Sequence, residues 1–421
     1  MPLRISDLRT SDVHGLSLLA VDGVSGVTDL VEDLHHAILR VPGVRSVTPE
    51  ARTGGIPGLV YRSIHGVTGV VGGGLDLAFN RVAPRLKRSF APPRPSPTRE
   101  QLLAMLNGVL GDHLAATGNP LAIRSAFRRA GRPIAIDAES LAEAFPAAKA
   151  RVLVSAHGLC MHDGHWYNEN ENDKGTEDGQ SEPRTGLPEQ LVEALACSTV
   201  DYYYNTGRHI ADSGREFAEM LETLIAHWPV EVEELVILGH SMGGLLARSA
   251  IHYGSKAGHG WPQRLKTLVF LGTPHHGSPV ERAGHGIDRA LGFTRYSAPF
   301  ARLGKMRSAG ITDLRHGNIV GPESGNFDRF AHAHDTRRPA PLPEHVECFA
   351  VAATLDADPD SARSRHFGDG LVPVPSALGQ HANPELQLEI EPGNRFVATG
   401  TGHVELLRCP RVARQIFEWL G

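Results

Sequence analysis

The residues that concentrate the most chemistry in the fewest positions are Gly239-His240-Ser241-Met242-Gly243. A serine hydroxyl is a weak nucleophile until it is exposed and a neighbouring base takes its proton. The G-x-S-x-G spacing permits a turn tight enough to hold Ser241 in a strained, protruding conformation. The flanking residues fit such a turn. Leu235-Val236-Ile237-Leu238 reads as a short buried strand, and Leu245, Leu246 and Ala250 fall at helical spacing. A helix starting here would point its N-terminus, which favours negative charge, at the hydroxyl.

Such a serine needs a base, an acid to orient the base, and donors for an oxyanion. Imidazole titrates near neutrality and suits the first role. Of the 23 histidines, His403 is the best placed. It lies in Thr399-Gly400-Thr401-Gly402-His403, a small-residue loop between a strand-like stretch and the last helix. His366 and His381 are its competitors. The acid is best sought in Gly368-Asp369-Gly370, after a strand at Glu347–Thr354 and before the histidine; Asp356 and Asp358 are the rivals. For the oxyanion, a strand at Arg151–Ser155 runs into His157-Gly158-Leu159, so that the backbone amides of Leu159 and Met242 become the expected donors.

Other chemistries are weaker. His157, Cys160, His162 and His165 crowd into nine residues and could be read as transition-metal ligands, but neither H-E-x-x-H nor C-x-x-C accompanies them. The acidic run from Glu169 to Asp178 has no calcium-loop signature. Gly72-Gly73-Gly74 lacks the Lys-Ser/Thr of a phosphate loop. No metal and no organic cofactor is therefore expected.

The elements that must position these residues come from a chain of 421 residues, long enough for about two folding units. Its 41% hydrophobic and 21% charged residues are ordinary for a globular protein, and a net charge of −5 gives no reason to bind nucleic acid. No membrane span or secretory signal is evident, and the four cysteines form no close pair. A cytoplasmic protein with reduced thiols is expected.

Residues 1–90 read as a glycine-interrupted helical extension, either packed on the rest of the chain or meeting a lipid interface or a partner. Residues 91–118 read as a proline-rich linker and a helix. A hairpin joining Leu121–Ile123 to Pro133–Ile136 is expected, although 126–130 would equally suit a helix. From Arg151 a βα alternation sets in, with further strands at Val200–Tyr204, Glu234–Gly239 and Leu265–Gly272. Helices are expected at Leu187–Cys197, at Glu216–Trp228 behind a Ser213-x-x-Glu216 capping box, at Gly243–Tyr253 and at Val404–Leu420. That alternation predicts a mostly parallel sheet flanked by helices. It lapses at about 275–345, which reads as a cap or lid insertion.

Taken together, these segments resemble the α/β-hydrolase superfamily, and more narrowly a bacterial lipase/esterase branch akin to GPI inositol-deacylase-like hydrolases. The likeness rests on His157-Gly158-Leu159, Gly239-His240-Ser241-Met242-Gly243-Gly244, Leu271-Gly272-Thr273-Pro274-His275-His276-Gly277-Ser278, Gly368-Asp369-Gly370-Leu371-Val372 and Gly402-His403. It spans about 119–421; the first hundred residues have no counterpart in the common hydrolase core. The resemblance implies an α/β-hydrolase catalytic domain over 119–421. It also implies a substrate pocket bordered by His157, Gly158, His240, Thr273 and His275, and cleavage of carboxylic, lipid-like or acyl esters. A thioesterase, phospholipase or amidase would use the same groups. A non-catalytic protein of this fold, acting through its N-terminal helices, is the alternative of a different class. Oligomeric state is left open.

Overall fold

In this computed structural model the described residues are 9, 11–23, 73–74, 96–167, 186–278, 308–321, 335 and 337–421. Most of the glycine-rich extension, the acidic run at 169–178 and most of the expected cap lie outside them. The chain divides into a smaller unit, residues 1–99 with 116–122, and a larger one, 100–115 with 123–421. In the smaller unit residues 11–23 are helical. Asp12 takes two hydrogen bonds from the Arg99 guanidinium, both 2.7 Å, and Asn119 Nδ2 donates to the Gly15 carbonyl at 3.0 Å.

The larger unit is built on an eight-stranded sheet. Its strands are β1 (Ala126–Arg129), β2 (Arg132–Ile134), β3 (Arg151–Ala156), β4 (Ser198–Tyr203), β5 (Glu234–His240), β6 (Leu265–Leu271), β7 (Glu347–Thr354) and β8 (Arg395–Thr399), in spatial order β2-β1-β4-β3-β5-β6-β7-β8. Six strands, from β4 to β8 across the sheet, run parallel; β1 lies antiparallel to both β4 and β2. The edge hairpin therefore exists, but its first strand is Ala126–Arg129, the stretch that also suited a helix. Residues 121–123 precede it.

Side chains on the central strands alternate between two buried faces. Val152, Val154, Leu235, Ile237, Leu268 and Phe270 enter one apolar cluster with Leu221, Leu224, Leu245 and Leu246, from helices Ile210–His227 and Met242–Ala257. Leu153, Val236, Leu238, Val269 and Leu271 enter the other with Leu191, Val412 and Ile416, from helices Leu187–Leu195 and Pro410–Leu420. A sheet covered on both faces explains why these strands read as unbroken apolar runs rather than as alternating ones.

Two helices depart from expectation. The second begins at Ile210, behind His209, so Ser213 and Gly214 lie inside it and Ser213-x-x-Glu216 caps nothing. Gly214 is needed there because a β-carbon would come within 2.2 Å of Ser249 Oγ on the adjacent helix. The expected Val404–Leu420 helix is a 3₁₀ turn, Glu405–Arg408, then a separate helix with Pro410 at its first position, where a missing N–H costs nothing.

Candidate active site

Parallel strands bring their C-terminal ends to one edge of the sheet. At that edge β3 runs into His157-Gly158-Leu159, β5 into Ser241, β6 into Gly272, β7 toward Asp369 and β8 toward His403. Registers pair Ala156 with Gly239, His240 with Leu271 and Thr354 with Thr399, so these ends lie side by side. Ligands of open parallel sheets bind outside such strand ends.

Ser241 sits between β5 and helix Met242–Ala257 with φ 53° and ψ −122°, a strained region for a residue with a β-carbon. Its N–H donates to the Leu271 carbonyl at 2.8 Å, which ties the turn to β6. The turn also needs Gly243, where a β-carbon would come within 2.1 Å of the Ala156 carbonyl oxygen. Among the described residues the Ser241 hydroxyl has no hydrogen-bond partner. Such bonds often shorten only when substrate is bound.

Asp369 is buried and its two oxygens are used differently. Oδ1 accepts the backbone N–H groups of Leu371 (3.0 Å) and Val372 (2.8 Å). Oδ2 lies 2.7 Å from His403 Nδ1, with both side chains almost fully buried. An ionised carboxylate only accepts, so His403 Nδ1 carries the proton and Nε2 keeps its lone pair. The His403 ring lies close to the end of β6, since a β-carbon at Gly272 would be 3.1 Å from its Cε1. Its backbone carbonyl accepts from His240 Nε2 at 3.1 Å, and the two rings are 4.9 Å apart. His240 directly precedes Ser241, so this bond fixes the histidine loop against the serine turn.

A β-carbon at Gly158 would lie 3.0 Å from Ser241 Cβ. That closeness puts the Leu159 amide next to the serine, together with the Met242 amide at the start of the helix. Among the described residues neither amide is bonded to an acceptor. The loop is held in place by Cys160, which has φ 58° and whose N–H donates to Thr206 Oγ1 at 3.2 Å.

Beyond this geometry, residues 199–333 match the family model described as PGAP1-like alpha/beta domain. The larger unit has the architecture of the α/β-hydrolase fold, a mostly parallel sheet flanked by helices. Among solved structures the chain is similar to a Bacillus licheniformis lipase in mature form, at 17% identity over 64% of this chain and 90% of that one, with a TM-score of 0.38. It is similar also to Staphylococcus hyicus lipase (13%, 64% and 93%, TM-score 0.35) and to a Pyrococcus furiosus esterase (11%, 65% and 85%, TM-score 0.35). No curated protein matches it.

The remaining candidates of this α/β-hydrolase fold fall elsewhere. His366 is exposed and bonds within its own helix, to the Ala362 carbonyl at 2.7 Å. His381 accepts from the Asn383 N–H at 3.0 Å. Asp356 accepts from Ser361 Oγ at 2.8 Å, and that bond holds its carboxyl below the usual range; Asp358 serves the same turn. His157, just past the end of β3, is buried. Its ring stacks on Tyr204 at 4.6 Å, and burial lowers its pKa to about 3. Thr273 is also fully buried, packed against Gly244. His275 lines a cavity with Arg248 and Arg337, whose described lining does not include Ser241 or His403.

The crowded histidines have local partners. His162 Nδ1 accepts from the Gly164 N–H at 3.1 Å, and His165 Nδ1 from the His162 N–H at 3.2 Å, a reciprocal capping box at the start of one 3₁₀ turn. Burial raises the Cys160 thiol to about 12. Among the described residues, no three ligating side chains gather to hold a metal. All four cysteines are free, and no described helix is long and apolar enough to cross a membrane. Sequence reasoning assigned His240 only to the pocket and missed its bond to the histidine loop. It also passed over Arg248, whose signal was a charged residue on an otherwise apolar, buried helix face.

Proposed function

We propose that this protein is a serine hydrolase that cleaves carboxylic esters, of lipid-like or acyl type, through an acyl-enzyme. Ser241 attacks the ester carbonyl while His403 Nε2 takes its proton. Asp369 keeps the imidazole in the tautomer that leaves Nε2 free, and stabilises its charged form. The Leu159 and Met242 amides receive the oxyanion. The alcohol departs with the proton from His403, and water repeats the sequence to release the acid and restore Ser241. The observation that carries the reading is the 2.7 Å His403–Asp369 pair beside a serine held at φ 53°.

Ser241→Ala is expected to abolish turnover of p-nitrophenyl esters while leaving the melting temperature within a few degrees. A fluorophosphonate probe should label the wild type and not the variant. Retained turnover in Ser241→Ala would reject the reading. Absence of labelling on the intact wild-type protein would favour the non-catalytic alternative. A panel of esters, thioesters and amides of increasing chain length, with and without lipid vesicles, identifies the bond and the acyl group preferred.

A further inference from the structure

Two turns along the nucleophile helix from Ser241, about 10 Å down its axis, Arg248 is almost entirely removed from solvent at 8% exposure. Its described partners are neutral. Nη2 donates to the Ala340 carbonyl at 2.8 Å, and Nη1 lies 3.3 Å from His275 Nδ1. Nε has no hydrogen-bond partner among the described residues. Among the described residues no carboxylate pairs with Arg248. Burial, reinforced by the nearby Arg337 charge, lowers its pKa to about 10, so it remains a cation at neutral pH. A buried charge without a counter-charge is costly.

The surroundings are built for a negative group. A guanidinium only donates, so His275 Nδ1 must accept from Arg248, which leaves the His275 proton on Nε2. That atom is buried and has no hydrogen-bond partner among the described residues. Burial and the Arg248 charge hold this imidazole neutral, well below its ordinary pKa. Arg337 steadies the same segment: Nη1 donates to the His275 carbonyl at 2.9 Å, and Asp335 balances its charge at 2.8 Å. Arg248, His275 and Arg337 line one cavity, together with His276, Arg338 and Glu385. Among the described residues lining it, Glu385 is the one acidic residue; it is exposed and forms no described ion pair with Arg248.

We propose that this cavity binds a small oxyanion, a carboxylate or a phosphate group, through Arg248 Nε, His275 Nε2 and the Arg337 guanidinium, apart from the serine site. The oxyanion supplies the counter-charge that Arg248 lacks. Its source is either a free anion or the charged end of a larger metabolite, and the shared recognition chemistry is planar or tetrahedral oxygens facing a guanidinium.

Calorimetric titration of the full chain with sodium phosphate, and separately with sodium acetate, at fixed ionic strength in sodium chloride tests this. Saturable binding of at least one anion, with a melting temperature that climbs with its concentration, is expected. Ser241→Ala should keep the wild-type affinity. Arg248→Met should lower it at least tenfold. Because a change at a buried arginine can impair folding, Arg337→Gln serves as a second variant and should weaken binding several-fold. No saturable binding of either anion to the wild type would overturn the proposal. So would unchanged affinity in both arginine variants, or loss of binding in Ser241→Ala.

Discussion

Asp369 is pinned through one oxygen by two backbone amides and uses the other to hold His403. That division makes its amide analogue informative. In Asp369→Asn the carbonyl oxygen would keep the Leu371 and Val372 N–H groups, which leaves the –NH₂ facing His403 Nδ1. Nδ1 would then have to accept, its proton would move to Nε2, and the base would be lost. A kcat reduction of roughly 10³–10⁴-fold is expected on p-nitrophenyl esters, with a circular-dichroism melt close to that of the wild type. His240 acts one step away. Its Nε2 reaches the His403 carbonyl, so His240→Phe is expected to lower kcat by about tenfold with little change in KM, by letting the histidine loop drift. A rise in KM alone would instead place His240 against the substrate.

Between residue and whole chain, what was legible in the sequence depended on how many neighbours each element has. The central strands were readable because both faces of β3, β5, β6 and β7 are buried, which leaves long apolar runs such as Leu235–Leu238. Strand β1, Ala-Phe-Arg-Arg, carries no such run, and its assignment depends on pairing with β2 and β4 rather than on its own pattern. Ser213-Gly214 resembles a helix start, yet Gly214 is small so that two helices can approach closely at Ser249. That tertiary reason is invisible to local propensity. The candidate site was readable for the opposite reason: tight turns leave small residues in fixed order. At Gly243→Ala the added methyl would meet the Ala156 carbonyl oxygen at 2.1 Å. Overpacking of this kind typically costs about 1–3 kcal/mol. Urea denaturation should show that loss, together with reduced turnover from a displaced Ser241; unchanged values for both would mean that β3 and the helix can separate without cost.

At the scale of the whole larger unit, buried imidazoles set how the fold responds to acid. Burial is the main cause lowering the pKa of His157 to about 3, His165 to about 4 and His276 to about 3, and it holds His240 and His275 well below the ordinary value. In the unfolded chain each titrates near 6.5. Between that value and the folded one the unfolded state binds the extra proton, so stability present above about pH 6.5 is lost as pH falls. Each histidine contributes up to about 1.4 kcal/mol per pH unit across its window. Asp201 works against them. Burial, reinforced by the nearby Asp163, raises its pKa to about 7 against the opposing effect of the hydrogen bonds it accepts from Ser155 Oγ and Tyr167 OH. Its contribution is present at low pH and lost as pH rises from about 4 to about 7. Asp163 and Asp313, also buried, are shifted in the same direction; five histidines outnumber these three carboxyls, so urea midpoints measured at pH 7.5, 6.5, 5.5 and 4.5 should drop below 6.5. A midpoint unchanged down to pH 4.5 would mean that these imidazoles accept protons inside the folded protein, contrary to the burial from which their lowered pKa values follow.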